Sequence, residues 1–338
     1  VYFTPMGGDL FFRAENGNGT DNVELWRTDG IFGGDSSILE IYGGTPGAYP
    51  TELTALNGKL YFKATHSGSD FELWQSDGNN INRVKDINPG PDSSGVSQIV
   101  ALNNGILFAA NNGTDGSELW YYNPTAIFFD GFELGNKAAW TDVVIGGAEI
   151  DSEAICKLCV TKKGAIHGKY SLKVNIQDRK VRFIKDAQPS GENKYHASFR
   201  IKLGSTLKMD NLNQFKVLKA LSGSKVPFSL DIRRKGTTFQ IRGNVRKNNG
   251  DDFVTTWVFL PKGVTSVEVE WYSSGGGGIF KLFINGKLKR FKGGLHTDTF
   301  AVTAVQLGVT SKIKAAHNIS GSFKLDSFHS DKNVIPEN

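Results

Sequence analysis

Glu24-Leu25-Trp26, Glu72-Leu73-Trp74 and Glu118-Leu119-Trp120 are one tripeptide written three times, at spacings of 48 and 46 residues. Each follows a short Gly/Asn/Ser/Asp loop and, before it, a matching apolar run. These runs are Gly8-Asp9-Leu10-Phe11-Phe12-Arg13-Ala14, Gly58-Lys59-Leu60-Tyr61-Phe62-Lys63-Ala64 and Gly105-Ile106-Leu107-Phe108-Ala109-Ala110. A period in the forties without helical patterning predicts a stacked array of small sheets, one repeat per sheet. In the middle copy, residues 51–56, 59–65, 71–77 and 81–87 are four runs rich in β-branched, aromatic and alternating residues. Asn57-Gly58 and Asp77-Gly78 between them supply the positive φ of tight hairpin turns, so the runs are expected to pair as antiparallel neighbours. Four strands per repeat match a propeller blade. Trp26, Trp74 and Trp120 are expected as structural residues, with Trp26 and Trp74 buried between blades.

The first two copies extend into Glu24-Leu25-Trp26-Arg27-Thr28-Asp29-Gly30 and Glu72-Leu73-Trp74-Gln75-Ser76-Asp77-Gly78. Val84-Lys85-Asp86-Ile87-Asn88-Pro89-Gly90 with Ser93-Ser94 follows the second. This pattern resembles the bacterial ELWxxDGT repeat family. The resemblance covers about residues 1–125 and implies a secreted or surface-exposed β-propeller with no known catalytic residue. The third copy departs from it, because Tyr121-Tyr122-Asn123-Pro124 stands where the Asp-Gly turn belongs. Three blades are too few to close a propeller, which takes about four to eight. Val1-Tyr2-Phe3-Thr4 already reads as a strand of the first blade. The expectation is therefore either blades upstream of this chain or another subunit covering the open faces.

After Pro124 the period vanishes. Residues 126–338 read as alternating strands punctuated by Lys235-Gly236, Asn249-Gly250, Gly275–Gly278 and Asn285-Gly286, each read as a turn. Strands are expected at 196–203, 228–234, 238–245, 266–271, 280–284 and 323–328, with no amphipathic helix, which predicts a two-sheet sandwich. Asp130-Gly131-Phe132-Glu133 with Trp140, Gly168-Lys169-Tyr170-Ser171-Leu172-Lys173-Val174 and Phe280-Lys281-Leu282-Phe283-Ile284-Asn285-Gly286 resemble a concanavalin A-like (laminin-G-like) jelly roll. So does the closing Leu325-Asp326-Ser327-Phe328. That resemblance implies a structural calcium where the first and closing strands meet, with Glu133 and Asp326 at the matching positions. It does not name a function, because such folds host lectins, hydrolases, lyases and purely structural domains.

The whole reads as an all-β chain of two domains, blades over 1–125 and a jelly roll over 126–338. No apolar stretch approaches the ~20 residues of a membrane span. Neither a membrane span nor a nucleic-acid partner is expected, and an extracellular or cell-surface location is. Asn18, Asn112 and Asn318 sit in glycosylation acceptor patterns. Cys156 and Cys159, the only cysteines, are too few for a structural zinc site and are expected as a local disulfide. Residues 1–125 hold six Lys/Arg against fifteen Asp/Glu, a net of −9; residues 126–338 hold thirty-three against nineteen, a net of +14. Opposite charges on two domains favour contact between them, within one molecule or head to tail between copies.

No catalytic set is found in the sequence. Glu268 and Glu270 alternate on one expected strand and share a face, but the hydrolase pattern Glu-x-Asp-x-x-Glu is absent. The six His are scattered without metal-binding spacing, and there is no nucleophile elbow or phosphate loop. Asp21, Asp70 and Asp115, with Asn16, Asn18 and Asn112, offer oxygen ligands for calcium or, alternatively, ordinary Asx turns. The leading expectation is a non-enzymatic extracellular protein that self-assembles into a surface layer or filament. The alternative is a glycan-binding adhesin that holds acidic polysaccharide on Arg233, Arg234, Arg242, Arg246 and Lys247. A polysaccharide lyase or hydrolase is third.

Overall fold

The structure, a computed structural model, describes residues 3–15, 17, 22–31, 36–43, 47–102, 105–146 and 156–332. Among them there is no helix, and every sheet is antiparallel, so the fold is all-β. The chain divides into two compact units, Val1–Thr125 and Ala126–Asn338.

The first unit is a series of meanders. Thr4–Met6, Asp9–Glu15, Val23–Thr28 and Ser36–Leu39 pair in that order, and so do Thr51–Leu56, Lys59–Thr65, Phe71–Ser76 and Ile81–Lys85. The third sheet corrects the expectation of three four-stranded blades. It has three strands, Ser97–Leu102, Gly105–Asn111 and Ser117–Tyr122. Pro124 brings no N–H to a ladder. The next segment, Ala126–Asp130, pairs instead with Ile319–Asp331 in the second unit. Among the described residues the three sheets form an open series.

First strands of consecutive sheets adjoin: Thr4 Oγ1 donates to Leu53 O at 3.3 Å, and Thr54 Oγ1 to Ile99 O at 2.8 Å. Within the tripeptide, Trp faces the preceding sheet and Leu the following one. Trp74, 8 % exposed, packs with Met6, Phe11 and Leu25 of the first sheet, whereas Leu73 packs with Ile99, Ile106 and Phe108 of the third. Trp26 was expected to be buried and is only half-buried, with Nε1 donating to Ala14 O at 3.1 Å. Its ring faces the side on which the described residues supply no sheet. Trp120, also half-buried, packs toward the second sheet. At the far end Leu119 is 73 % exposed, while its counterparts Leu25 and Leu73 are 0 % and 1 % exposed.

The Glu of the tripeptide fastens the link to the next sheet. Glu24 is fully buried and accepts Ile41 N at 2.9 Å and Ala48 N at 3.0 Å. Glu72, equally buried, accepts Ile87 N at 2.9 Å, Asn88 N at 3.4 Å, Ser94 N at 3.1 Å and Ser94 Oγ at 2.8 Å. These donors lie in irregular linkers, where a buried N–H otherwise goes unpaired. Glu118 is exposed.

The second unit is a two-sheet sandwich. The nine-stranded sheet is built around the thirteen-residue strand Ile319–Asp331, which pairs with Ser171–Ile176 on one side and Lys194–Leu203 on the other. Val264–Tyr272, Gly275–Ile284 and Lys287–His296 continue it outward from Lys194–Leu203. The eight-stranded sheet runs Asp142–Ile145, Arg182–Asp186, Ala304–Val309, Gln214–Leu221, Phe228–Lys235, Thr238–Arg246 and Asp252–Val254. Val258–Leu260 also pairs with Thr238–Arg246. Strict alternation turns Ala197, Phe199, Val267, Val269, Trp271, Phe280 and Leu282 of one sheet toward Leu230, Ile232, Ile241, Val305 and Leu307 of the other. Gly243 lets the sheets approach, since a Cβ there would meet the Phe280 ring at 2.3 Å. Gly275–Gly278, expected as a turn, opens strand Gly275–Ile284. A Cβ on Gly278 would meet Leu295 O at 2.5 Å, so its lack of side chain admits the neighbouring strand. Cys156 and Cys159 form the expected disulfide, Cα–Cα 5.7 Å.

Candidate functional site

The same alternation that buries Phe228, Leu230 and Ile232 turns Ser229, Asp231 and Arg233 outward. Cross-strand register sets Asn244, Arg242 and Gln240 beside them on one side. On the other side it sets Lys219, Lys216 and Gln214, with a bulge between Lys216 and Leu218. Gln306 and then Lys185 continue the row beyond Lys219. The outer face of the eight-stranded sheet is therefore a polar surface dominated by cations.

Asp231, 7 % exposed, organises it. Its carboxylate accepts Lys216 Nζ at 2.8 Å, Asn244 Nδ2 at 3.0 Å, and Arg242 Nε and Nη2 at 3.3 Å each. One buried anion thus fixes two cations, which limits their loss of freedom when a ligand binds. Arg242 and Arg233 both lie over the Trp257 indole, their guanidinium carbons 4.4 Å and 4.1 Å from its centre. Arg233 Nε also donates to Gln240 Oε1 at 2.9 Å. Arg290, from the other sheet, holds the Trp257 segment through Thr256 O at 3.1 Å and Trp257 O at 2.8 Å. Burial, and then the neighbouring Lys216, push the Lys219 ammonium below its ordinary value. Desolvation and then Arg242 do the same to Arg233. Lys185 is paired with Asp142 at 2.9 Å.

Three cavities follow one another along this face. One of about 190 Å³ lies between Lys216, Asp231, Lys312, Lys314 and His317. The next, about 230 Å³, shares Lys216 and reaches Ser229, Asn244 and Arg246. The third, about 310 Å³, shares Arg246 and reaches Lys225, Lys247 and Phe300.

Of the basic residues singled out in the sequence, Arg233 and Arg242 meet at Trp257, and Arg246 and Lys247 line the third cavity. Arg246 is 2.9 Å from Asp252, and Lys247 is 3.5 Å from Asp251. Arg234 is not part of the surface: it donates to Met209 O and Gly236 O at 2.8 Å each, tying a chain turn. Lys216, Lys219, Gln306 and Trp257 were not recognised from sequence.

Glu133 and Asp326 clasp one loop. Glu133 accepts Lys169 N at 2.8 Å and Tyr170 N at 3.4 Å; Asp326 accepts His167 N at 3.2 Å and Ser171 Oγ at 2.9 Å. Their oxygens thus carry N–H and O–H donors at the place where the resemblance implied calcium. Asp70 takes Arg83 Nη1 at 3.0 Å, and Asp115 takes Asn112 Nδ2 at 2.9 Å. Asn112 closes an Asx turn onto Thr114 N and Asp115 N; Asn318 is exposed. Asn16, Asn18 and Asp21 lie outside the described residues.

The outer face of the nine-stranded sheet carries a second constellation. Glu268 and Glu270 share that face as expected, but neither stands free. Glu270 is 3.3 Å from Lys281 Nζ, and Glu268 Oε1 is 2.9 Å from His196 Nε2. His196 Nδ1 is 3.1 Å from Asp331 Oδ2. Burial alone would push the His196 imidazole down; its bonds to the two carboxylates outweigh that and bring it up to about 9. His329 Nδ1 lies 3.6 Å from the same Asp331 oxygen. The His are scattered in the sequence, as read there; strand pairing brings His196 and His329 together with Asp331, their candidate ligand atoms within 4.8 Å of one another.

No protein-family model matches the chain, and no curated protein matches it. Among solved structures, the T. cruzi calreticulin globular domain aligns over 62 % of this chain and 89 % of its own, at 13 % identity and a TM-score of 0.43. A carbohydrate esterase from Shiga toxin-encoding bacteriophage phi24B aligns over 62 % and 99 %, at 9 % identity and 0.45. The alginate lyase Aly36B aligns over 70 % and 100 %, at 10 % identity and 0.38. Likenesses this distant carry no argument about what the chain does.

Proposed function

We propose that the second unit binds an anionic polysaccharide along the outer face of its eight-stranded sheet. The observation that carries this reading is the pair Arg233 and Arg242 over Trp257, in one surface with Lys216 and Lys219. The guanidinium N–H groups that Asp231 and Gln240 do not engage are donors for a carboxylate or sulfate, and the Trp257 ring beneath holds both guanidinium planes in place. Burial and the neighbouring Lys216 both disfavour the Lys219 ammonium, so a bound uronate or sulfate would relieve that repulsion. The disulfide suits an oxidising, extracellular setting, and no helix among the described residues is long and apolar enough to cross a membrane. Affinity electrophoresis through gels containing a uronate polymer, a sulfated polymer or a neutral glucan tests the reading. Retardation by the charged polymers alone supports it. Equal retardation by the neutral glucan refutes it, and release of shortened products moves it to a lyase or hydrolase.

A second reading, ordered self-association, rests on the first unit. Val100, Leu102, Leu119 and Tyr121 are 51 %, 45 %, 73 % and 50 % exposed on the last sheet, at the face that earlier copies bury against a following sheet. An apolar sheet face of this kind is seldom left to water. The occupant we propose is the first sheet of a second copy, whose Trp26 face is half-open. Light scattering over rising protein concentration should show growing mass for the wild type and not for Leu119→Lys. A monomer throughout contradicts this reading and leaves the glycan site untouched.

A further inference from the structure

Lys194–Leu203 and Ile319–Asp331 are antiparallel neighbours, with His196 opposite Asp331 and Ser198 opposite His329. Between these positions Ala197 and Ser330 are fully buried, so alternation places His196, His329 and Asp331 together on the outer face. Their candidate ligand atoms all lie within 4.8 Å of one another. Two of the separations, 3.1 Å and 3.6 Å, bracket the ~3.3 Å edge of a tetrahedron drawn with metal–ligand bonds of about 2.0–2.1 Å.

We propose that His196, His329 and Asp331 form a binding site for a divalent transition-metal ion, with zinc the ion the ligand set fits. Two imidazoles and one carboxylate are borderline donors suited to zinc, whereas calcium and magnesium take oxygen ligands. Glu268 Oε1, 2.9 Å from His196 Nε2, is placed as the outer carboxylate that orients a ligating imidazole through its far nitrogen. The His196 Nδ1 that now faces Asp331 is then the nitrogen turned to the metal. All three ligands stand on paired strands rather than loops, which holds their spacing. Three protein ligands leave one position for water, and the His329 and Glu268 side chains, 27 % and 30 % exposed, leave it reachable. Bound metal would cross-link the two central strands of the sheet. The site lies on the opposite sheet from the proposed glycan face and does not depend on that reading.

The test is zinc titration of the full chain, free of any histidine tag, in competition with a chromophoric chelator. Cobalt(II) substitution reports tetrahedral nitrogen and oxygen ligation in the visible spectrum. One equivalent is expected to bind tightly. His329→Gln should weaken binding by about a hundredfold or more, and Glu268→Gln by about 10–100-fold, the usual outer-ligand effect. Both substitutions keep side-chain size, and the metal-free melting temperature of each checks that the sheet is intact. If a variant melts early, the cobalt spectrum of the wild type decides alone. No zinc uptake by the wild type, an octahedral cobalt spectrum, or unchanged affinity in His329→Gln overturns the proposal.

Discussion

Glu72→Gln tests whether the repeated tripeptide works through its carboxylate. Oε2 of Glu72 takes Ile87 N and Ser94 Oγ, and Oε1 takes Asn88 N and Ser94 N. A glutamine keeps one oxygen; with its NH2 toward the Ser94 hydroxyl, which can accept, Ile87 N is left unpaired, and with its NH2 the other way Asn88 N and Ser94 N both are, so one or two of the four bonds are lost and the rest lose their charge. Hydrogen bonds to charged groups contribute about 1.5–3 kcal/mol each. The desolvation of a fully buried carboxylate offsets part of this. A net loss of about 3 kcal/mol remains, near 10 °C in the melting temperature of a unit this size. Glu118→Gln is the internal control: the same tripeptide, but exposed, and worth less than about 0.5 kcal/mol. Calorimetry of the whole chain follows the transition of the first unit, and amide exchange at Ile87 and Ser94 locates the damage. Equal shifts for both variants, or undiminished protection of those two amides, would refute the reasoning.

Trp74→Ala should cost about 3–5 kcal/mol, the range for a large core aromatic, and Trp26→Ala clearly less, because one ring is enclosed and the other half-open. Urea midpoints compare them; equal losses would contradict the assignment of Trp to the preceding sheet. Burial raises the Glu24 and Glu72 carboxyls above their ordinary value, with backbone N–H bonds offsetting part of the rise. Between about 4.5 and the raised values the folded chain therefore holds protons that the unfolded chain releases. The first unit should gain stability as pH falls into that window and lose it as pH rises out. Melting temperatures of wild type and Glu72→Gln from pH 7 down to 4.5 check the sign. A wild type that loses stability relative to the variant on acidification would contradict it.

The strand register of the first unit was legible because turn dipeptides and a fixed period are local signals. Asn57-Gly58 with Asn57 at φ 52° is one such case. The role of Glu72 was not, since its partners lie up to 22 residues downstream in a linker without pattern. Arg233 and Arg242 were legible together because one tight hairpin joins their strands. Lys216 and Trp257 come from other strands, and the bulge at Lys216 breaks the alternation that would have placed it. His196 and Asp331 are 135 residues apart. The closing strand was expected to stop at Phe328, short of His329 and Asp331, so nothing local could unite them.

The proposed glycan contact lies on the outer face of the eight-stranded sheet. Calorimetric titration of a uronate oligosaccharide into wild type, Lys219→Gln and Arg233→Gln at two salt concentrations is the decisive measurement. Lys219→Gln removes a charge that burial and the neighbouring Lys216 both disfavour, so the fold should be no less stable. Each substitution should weaken binding about tenfold, the loss of one charge-assisted contact, and wild-type affinity should fall with salt. Binding that survives both substitutions and is indifferent to salt, or no binding by a folded wild type, would contradict the proposed function.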